Sequence, residues 1–144
     1  MSKGYSIDTA THTLVFTRII ACTPERLYDA WTTEAEISKW WDPSGKPLAE
    51  CVIDLRVGGR MKLVNQGHEQ FPFVGTYTEL RRPVRIAFDA MGAAGSVDLV
   101  AAGEATEMTI RIRCASAEQL EQFSKMEIAE GTAQTADNLV AYLS

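Results

Sequence analysis

Side chains suited to acid–base, nucleophilic or metal chemistry are few in this chain and scattered along it. His12 and His68 are its only histidines. Each stands among polar residues near a turn or a terminus, with no neighbour in sequence to orient it as an acid or base. Exposed histidines are the plainer reading, with His68 the one that could stand at the mouth of a cavity. Cys22, Cys51 and Cys114 form no CxxC pair, lie in or beside apolar runs and lack a histidine partner, which reads as buried reduced thiols. No HExxH, histidine cluster or GxSxG elbow occurs, so no metal, cofactor or activated serine is expected. Gly58-Gly59 lacks the context of a phosphate-binding loop and reads as a hairpin turn. Glu79 shares the alternation of Gly75 and Tyr77, so an inward-facing strand would make it the best candidate for a buried acid. A solvated carboxylate paired with Arg85 is the plainer reading. Catalysis inside a pocket would have to draw on Glu79, His68 or Tyr77, and an enzyme is the less favoured reading.

The apolar residues are better organised. Residues 13–21 form a β-branched apolar run without helical period and predict a first strand. Thr23-Pro24-Glu25 starts a helix, with Thr23 as cap, Pro24 at the first position and Glu25 at the positive end of the dipole. A second short helix is predicted over Glu34–Trp40, capped by Thr33 and ended by Asp42-Pro43-Ser44-Gly45. The period then becomes two. Strands are predicted over residues 51–55, 60–63, 71–80, 84–89, 96–101 and 107–114, the fifth of them weak and preceded by a Gly92–Gly95 connection. Short turns between successive strands require an antiparallel meander. After Ser116, which can cap a short helix to about Lys125, a longer helix carries Ile128, Thr132, Thr135, Leu139 and Tyr142 on one stripe. A sheet with one apolar face must be covered, and only this terminal helix is long enough to cover it.

The chain has 144 residues, 46% of them hydrophobic, which suits one domain over residues 1–144 with a core of its own. Its net charge of −5 argues against a general nucleic-acid binder. No apolar run could span a bilayer, and the first residues lack the apolar stretch of a signal peptide, so no membrane insertion and a cytoplasmic location are expected. Charge is uneven: Arg56, Arg60, Lys62, Arg81, Arg82 and Arg85 stand against Glu69 and Glu79, whereas residues 118–144 are acidic. Two solvated faces explain this more simply than a docking surface for a charged protein.

Strings spread in order over nearly the whole chain carry a family resemblance. They are Phe16-Thr17-Arg18, Pro24–Thr32, Trp40-Trp41-Asp42-Pro43, Ile53–Met61, Phe73–Leu80, Pro83–Phe88 and Met126–Thr135. The chain resembles the activator of heat-shock protein 90 ATPase homologue-like family, within the START/Bet v I-like (SRPBCC) superfamily. That resemblance implies an α+β helix-grip fold: a curved antiparallel sheet wrapped around a long C-terminal helix, with two short helices after the first strand. It also implies an apolar cavity between sheet and helix, used across the superfamily for hydrophobic molecules and in some members for cyclase or dehydratase chemistry. At Gly131-Thr132 the family usually has glycine and tryptophan, and at Ala136 a leucine. Both differences are large to small, so the cavity should be larger than in relatives unless Trp31, Phe73, Tyr77 or Phe88 fills the space.

The leading expectation is a binding module for a hydrophobic small molecule. Its walls would be Met61, Leu63, Phe73, Tyr77, Phe88, Met108, Ile110, Ile112, Ile128, Thr132, Thr135 and Leu139. Tyr77, Thr132 and Thr135 would supply the polar tips. Of the adjacent Trp40 and Trp41, one ring is expected to anchor the second helix and the other to stand near the cavity entrance. The alternatives are an enzyme using the same cavity and a co-chaperone-like contact through Arg60, Lys62, Arg111 and Arg113. A homodimer is compatible with all three.

Overall fold

The computed structural model describes residues 4–144; Met1–Lys3, which begin the stretch read above for a signal peptide, lie outside the described residues. The strands are β1 (Ser6–Asp8), β2 (Thr13–Ile20), β3 (Glu50–Ile53), β4 (Arg60–Val64), β5 (Phe73–Arg81), β6 (Arg85–Ala90), β7 (Ala93–Ala102) and β8 (Ala105–Arg113). The helices are α1 (Pro24–Thr32), α2 (Glu34–Trp40), α3 (Ala117–Lys125) and α4 (Ile128–Tyr142). All eight strands form one antiparallel sheet in the order β1-β2-β8-β7-β6-β5-β4-β3. Chain order is broken only where β2 pairs with β8, and α1 and α2 make the crossing from β2 to the opposite edge of the sheet. This is the helix-grip arrangement, with α4 packed against β2 and α2. No helix is long and apolar enough to cross a membrane among the described residues.

Local chemistry explains the helix boundaries. Thr23 Oγ1 accepts from the Arg26 N–H at 3.2 Å, and Pro24 occupies the first turn, where a missing N–H costs nothing. Ser116 Oγ does the same for the Gln119 N–H at 3.1 Å at the start of α3. Thr33 stands at the N-cap of α2, but its hydroxyl makes no capping bond. Between α3 and α4 the chain turns through Glu127 in the left-handed region (φ 57°).

One buried cluster joins both layers. It includes Phe16 and Met108 from the sheet, Leu27 and Trp31 from α1, and Ala129, Ala133, Ala136 and Leu139 from α4. Leu139 and Ile110, expected to bury one space from opposite sides, both belong to it. The sheet's other face carries Arg60 and Lys62 on β4 and Arg111 and Arg113 on β8, alternating with the buried set.

Two sequence expectations change. β1 is an additional strand, three exposed residues paired to β2, and it offers no apolar pattern to read. β7 is not weak: at ten residues it is the longest strand, and it begins at Ala93 rather than Ser96. The β6–β7 connection needs only Met91 (φ 56°) and Gly92 (φ 77°), a two-residue hairpin turn with both residues left-handed. Ala93–Gly95 are therefore free to pair. Gly95 lies opposite Phe88, and a Cβ there would stand 2.6 Å from Phe88 Cε2, so the ring lies across bare backbone. Gly95→Ala should cost about 1–3 kcal/mol of stability through overpacking. Urea denaturation should show it, with Phe88→Leu in the same chain recovering part of the loss.

Candidate functional site

Between the concave side of the sheet and α4 lies a cavity of about 310 Å³. Its floor comes from Leu63, Phe73, Phe88, Gly95, Ile110 and Ile112, and its roof from Ile128, Gly131, Thr132 and Thr135 of α4 with Phe123 of α3. Trp31 and Trp41 close one side. Asn65 and Phe71, from the β4–β5 connection, and Met91, from the β6–β7 turn, also line it. Phe71 is 78% exposed and Met91 51%, which puts both at the rim.

The aromatic walls are continuous. Ring centroids stand 6.3 Å apart for Trp31–Trp41, 5.1 Å for Trp41–Phe73 and 6.3 Å for Phe73–Phe88, with interplanar angles of 82°, 55° and 82°. These are the tilted and edge-to-face arrangements that ring quadrupoles favour. Trp41 is held in place from α4: Thr135 Oγ1 donates to the Trp41 carbonyl at 2.9 Å, and Asn138 Nδ2 donates to the Asp42 carbonyl at 3.0 Å. Trp40 has the anchoring role, buried and donating its Nε1–H to the Ala30 carbonyl at 3.2 Å.

Nine of the residues expected at the cavity line it: Trp41, Leu63, Phe73, Phe88, Ile110, Ile112, Ile128, Thr132 and Thr135. Trp40, Met61, Tyr77, Met108 and Leu139 do not; they are packed into the core beside it. Met61 lies against Gly75, where a Cβ would stand 3.2 Å from its Cγ, and so fills the space that glycine leaves. Met108 Sδ takes the Trp31 Nε1–H at 3.4 Å. Tyr77 is 1% exposed, and burial raises its phenol pKa well above the ordinary value.

Sequence reasoning missed Asn65, Phe71, Phe123 and Gly95 as wall residues. Asn65 and Phe71 fell at the edges of a turn, where alternation carries no information. Gly95 had one available signal, a residue without a side chain beside a run of large inward groups. Of the two large-to-small positions, Thr132 lines the cavity, whereas Ala136 is fully buried and does not.

The candidate acid–base residues lie elsewhere. A bulge between Tyr77 and Glu79 puts Thr78 out of register, so Tyr77 opposes Phe88 and Glu79 opposes Ala87. The parity that pointed Glu79 inward is broken there, and Glu79 turns to the outer face. Arg85 Nε donates to its Oε1 at 2.8 Å, and Arg81 Nε pairs with its Oε2 at 2.5 Å. His68 is exposed in the β4–β5 connection. Burial raises the pKa of each of the three free thiols, Cys22, Cys51 and Cys114. Among the described residues, no group of three or more His, Cys, Asp or Glu could hold a metal ion. Arg111 is the single charged residue in the cavity wall among the described residues, and its guanidinium is turned away to Asp98 Oδ2 at 3.1 Å.

Comparison with known proteins agrees with this architecture. The family model described as Activator of Hsp90 ATPase homolog 1-like protein matches residues 21–144. The chain belongs to that family. A solved protein from Nitrosomonas europaea superposes with a TM-score of 0.83 at 21% identity, covering 95% of this chain and 96% of that one. One from Mycobacterium smegmatis gives 0.80 at 21% identity, covering 96% and 95%. An AHSA1-like protein from Aeromonas hydrophila gives 0.70 at 21% identity, covering 89% and 90%. No curated protein sequence matches the chain. At these identities the structural neighbours share the fold.

The Glu79 pairing sets a pH dependence. The hydrogen bond from Arg85, helped by the charge of Arg81, lowers the Glu79 pKa below its ordinary value. The folded chain therefore takes up that proton less readily than the unfolded one. The stability this contributes is complete above the unfolded carboxylate value of about 4.3 and is lost as pH falls through the lower folded value. Glu79→Gln should flatten the acid limb of a stability-versus-pH series, and salt should shrink the difference because the site is exposed. An acid limb identical in the variant would contradict this assignment.

Proposed function

We propose that this chain binds a hydrophobic small molecule in the cavity between the sheet and α4. The observation that carries this reading is a space of about 310 Å³ walled by aromatic and aliphatic side chains, with Arg111, the one charged wall residue among those described, turned outward to Asp98. Ligand pockets begin at about 300 Å³ and combine apolar walls with a few polar groups. The apolar walls reach water through the rim at Phe71 and Met91, and removing that surface from water favours an apolar guest.

Binding is favoured over acid–base catalysis in the same cavity because Glu79 and His68 lie outside it and Tyr77 is locked in the core. A protein contact through the basic sheet face has weaker support. Lys62 is paired with Glu50 at 2.7 Å and Arg111 with Asp98, so half of that surface is already neutralised.

Thr132→Trp, which restores the residue usual in the family, should fill the roof of the cavity. The variant should keep or raise the unfolding midpoint while weakening displacement of an environment-sensitive hydrophobic dye at least tenfold. Native mass spectrometry of the purified wild-type chain should show a co-purified apolar mass that the variant lacks. Undiminished dye binding by a folded Thr132→Trp chain would place the dye somewhere else and count against the cavity.

A further inference from the structure

Phe71 and Met91 line the cavity and yet are 78% and 51% exposed. The β4–β5 connection and the β6–β7 turn that carry them leave the sheet at the same end, so the two side chains share the mouth. Resting on the binding reading above, we propose that Phe71 and Met91 select guests by length: they grip the part of a guest that extends beyond the cavity, and its polar end stands in water.

The backbone places Met91 there against local preference. Met91 and Gly92 form a two-residue turn with φ of 56° and 77°. Such turns favour asparagine or glycine at the first position, because in the left-handed region a Cβ crowds the following carbonyl. The turn is also fixed. Gln119 of α3 donates its Nε2–H to the Met91 carbonyl at 3.2 Å, and its Oε1 accepts the Ala115 N–H at 2.6 Å. A Cβ at Gly92 would stand 3.0 Å from that Nε2. With the backbone held, the Met91 side chain is the part left to move, and its unbranched torsions let it follow guests of different shape. A residue kept in a disfavoured conformation beside a pocket points to a role in binding.

Length follows from what the walls can hold. An engineered void of about 150 Å³ takes up benzene, and this cavity has about twice that space, enough for a body of two rings. Asn65, Thr132 and Thr135 bring no charge to the wall, and Arg111, the one ionic wall residue among those described, is turned to Asp98. A charged end inside would lose its hydration without a partner, so it has to stand beyond the rim. The chain that joins it to the buried body then passes Phe71 and Met91 and takes their apolar surface out of water.

The test uses the whole chain freed of bound ligand, with binding read by displacement of the hydrophobic dye and corrected for each chain's own affinity for the dye. The probes are 2-methylnaphthalene, short enough to stay inside, and phenylacetate, 4-phenylbutyrate, 6-phenylhexanoate and 8-phenyloctanoate. In the wild type the phenylalkanoates should tighten with length, by up to about fourfold for each methylene that leaves water. The double variant Phe71→Ser, Met91→Asn should bind 8-phenyloctanoate about tenfold more weakly than the wild type, and 2-methylnaphthalene within about twofold of it. Met91→Leu, which keeps apolar bulk on the same left-handed backbone, should retain the long probe. Met91→Asn alone should raise the urea midpoint of the ligand-free chain by roughly 0.3–0.5 M, because asparagine suits the turn. A Met91→Asn chain less stable than the wild type would make Met91 a structural residue and overturn its assignment. If 2-methylnaphthalene binds but the double variant holds 8-phenyloctanoate as tightly as the wild type does, the role of the rim is overturned and the cavity reading survives. If none of the probes displaces the dye from the wild type, both are overturned.

Discussion

The concave face of the sheet has to be covered, and the helix that covers it meets it with small side chains. α4 buries Ala129, Ala133 and Ala136 together with Thr135, and Leu139 is its one large fully buried group. A helix faced with alanine packs on a sheet without a gap only where the sheet's own side chains rise to fill the space. At the Leu139 end they do: Phe16 and Met108 join it in the packed cluster, together with Trp31 of α1. Toward the start of α4, around Ile128 and Thr132, the opposing residues are Phe88 lying flat across Gly95, with Ile110 and Ile112 beside it, and the two layers leave a gap. The cavity is thus a consequence of how side-chain volume is distributed along one helix.

Polar contacts keep that gap from collapsing. Thr135 and Asn138 of α4 hold the backbone at Trp41 and Asp42, and Trp40 Nε1–H fastens α2 to the Ala30 carbonyl in α1. Farther along, Tyr142 Oη donates to Glu36 Oε1 at 3.0 Å, and Glu36 also takes Arg26 Nη1–H at 2.5 Å. α1, α2 and α4 are in this way tied to one another. The backbone at Trp41 is fixed by Thr135, and its ring is held between Trp31, Trp40 and Phe73. A fixed wall of rings is a preorganised surface, and preorganisation lowers the entropic cost of taking in a rigid guest.

Much of this was legible from residue order. Alternation in β4 and β8 separated inward Met61, Leu63, Ile110 and Ile112 from outward Lys62 and Arg111, because the pleat has a strict period of two. Thr23-Pro24 and Ser116 marked helix starts through unmet backbone donors that a hydroxyl can satisfy. The failures have a common origin in single residues that break a period. Thr78 enters β5 as a bulge that nothing in the string Tyr77-Thr78-Glu79 signals, so strand parity alone pointed Glu79 inward, whereas the plainer reading of a carboxylate paired with Arg85 is the arrangement found. Gly95 reads as turn chemistry but serves a packing role in mid-strand. β1 has too few residues for any pattern, and its order comes from pairing with β2.

The cavity was harder to read than the fold because it is made of atoms that are not there. Periodicity tells which side chains face inward, and from that view Met61 and Leu63, or Tyr77 and Phe73, are equivalent. Which of them touch empty space depends on whether a neighbour's volume reaches them. Met61 is covered because Gly75 invites it to fold over, whereas Phe73 stays in the cavity wall. The same argument separates Thr132 and Ala136, the two positions where the resemblance implies larger residues. At Ala136 the core has closed over the missing volume; at Thr132 it has not. The difference lies in the surroundings. Ala136 is enclosed by the packed cluster that includes Leu139, Trp31 and Met108, while Thr132 stands over a sheet region thinned by Gly95 and ends near a rim where Phe71 and Met91 are exposed. Two small residues on one helix face thus have opposite consequences, and only Thr132 opens onto the cavity.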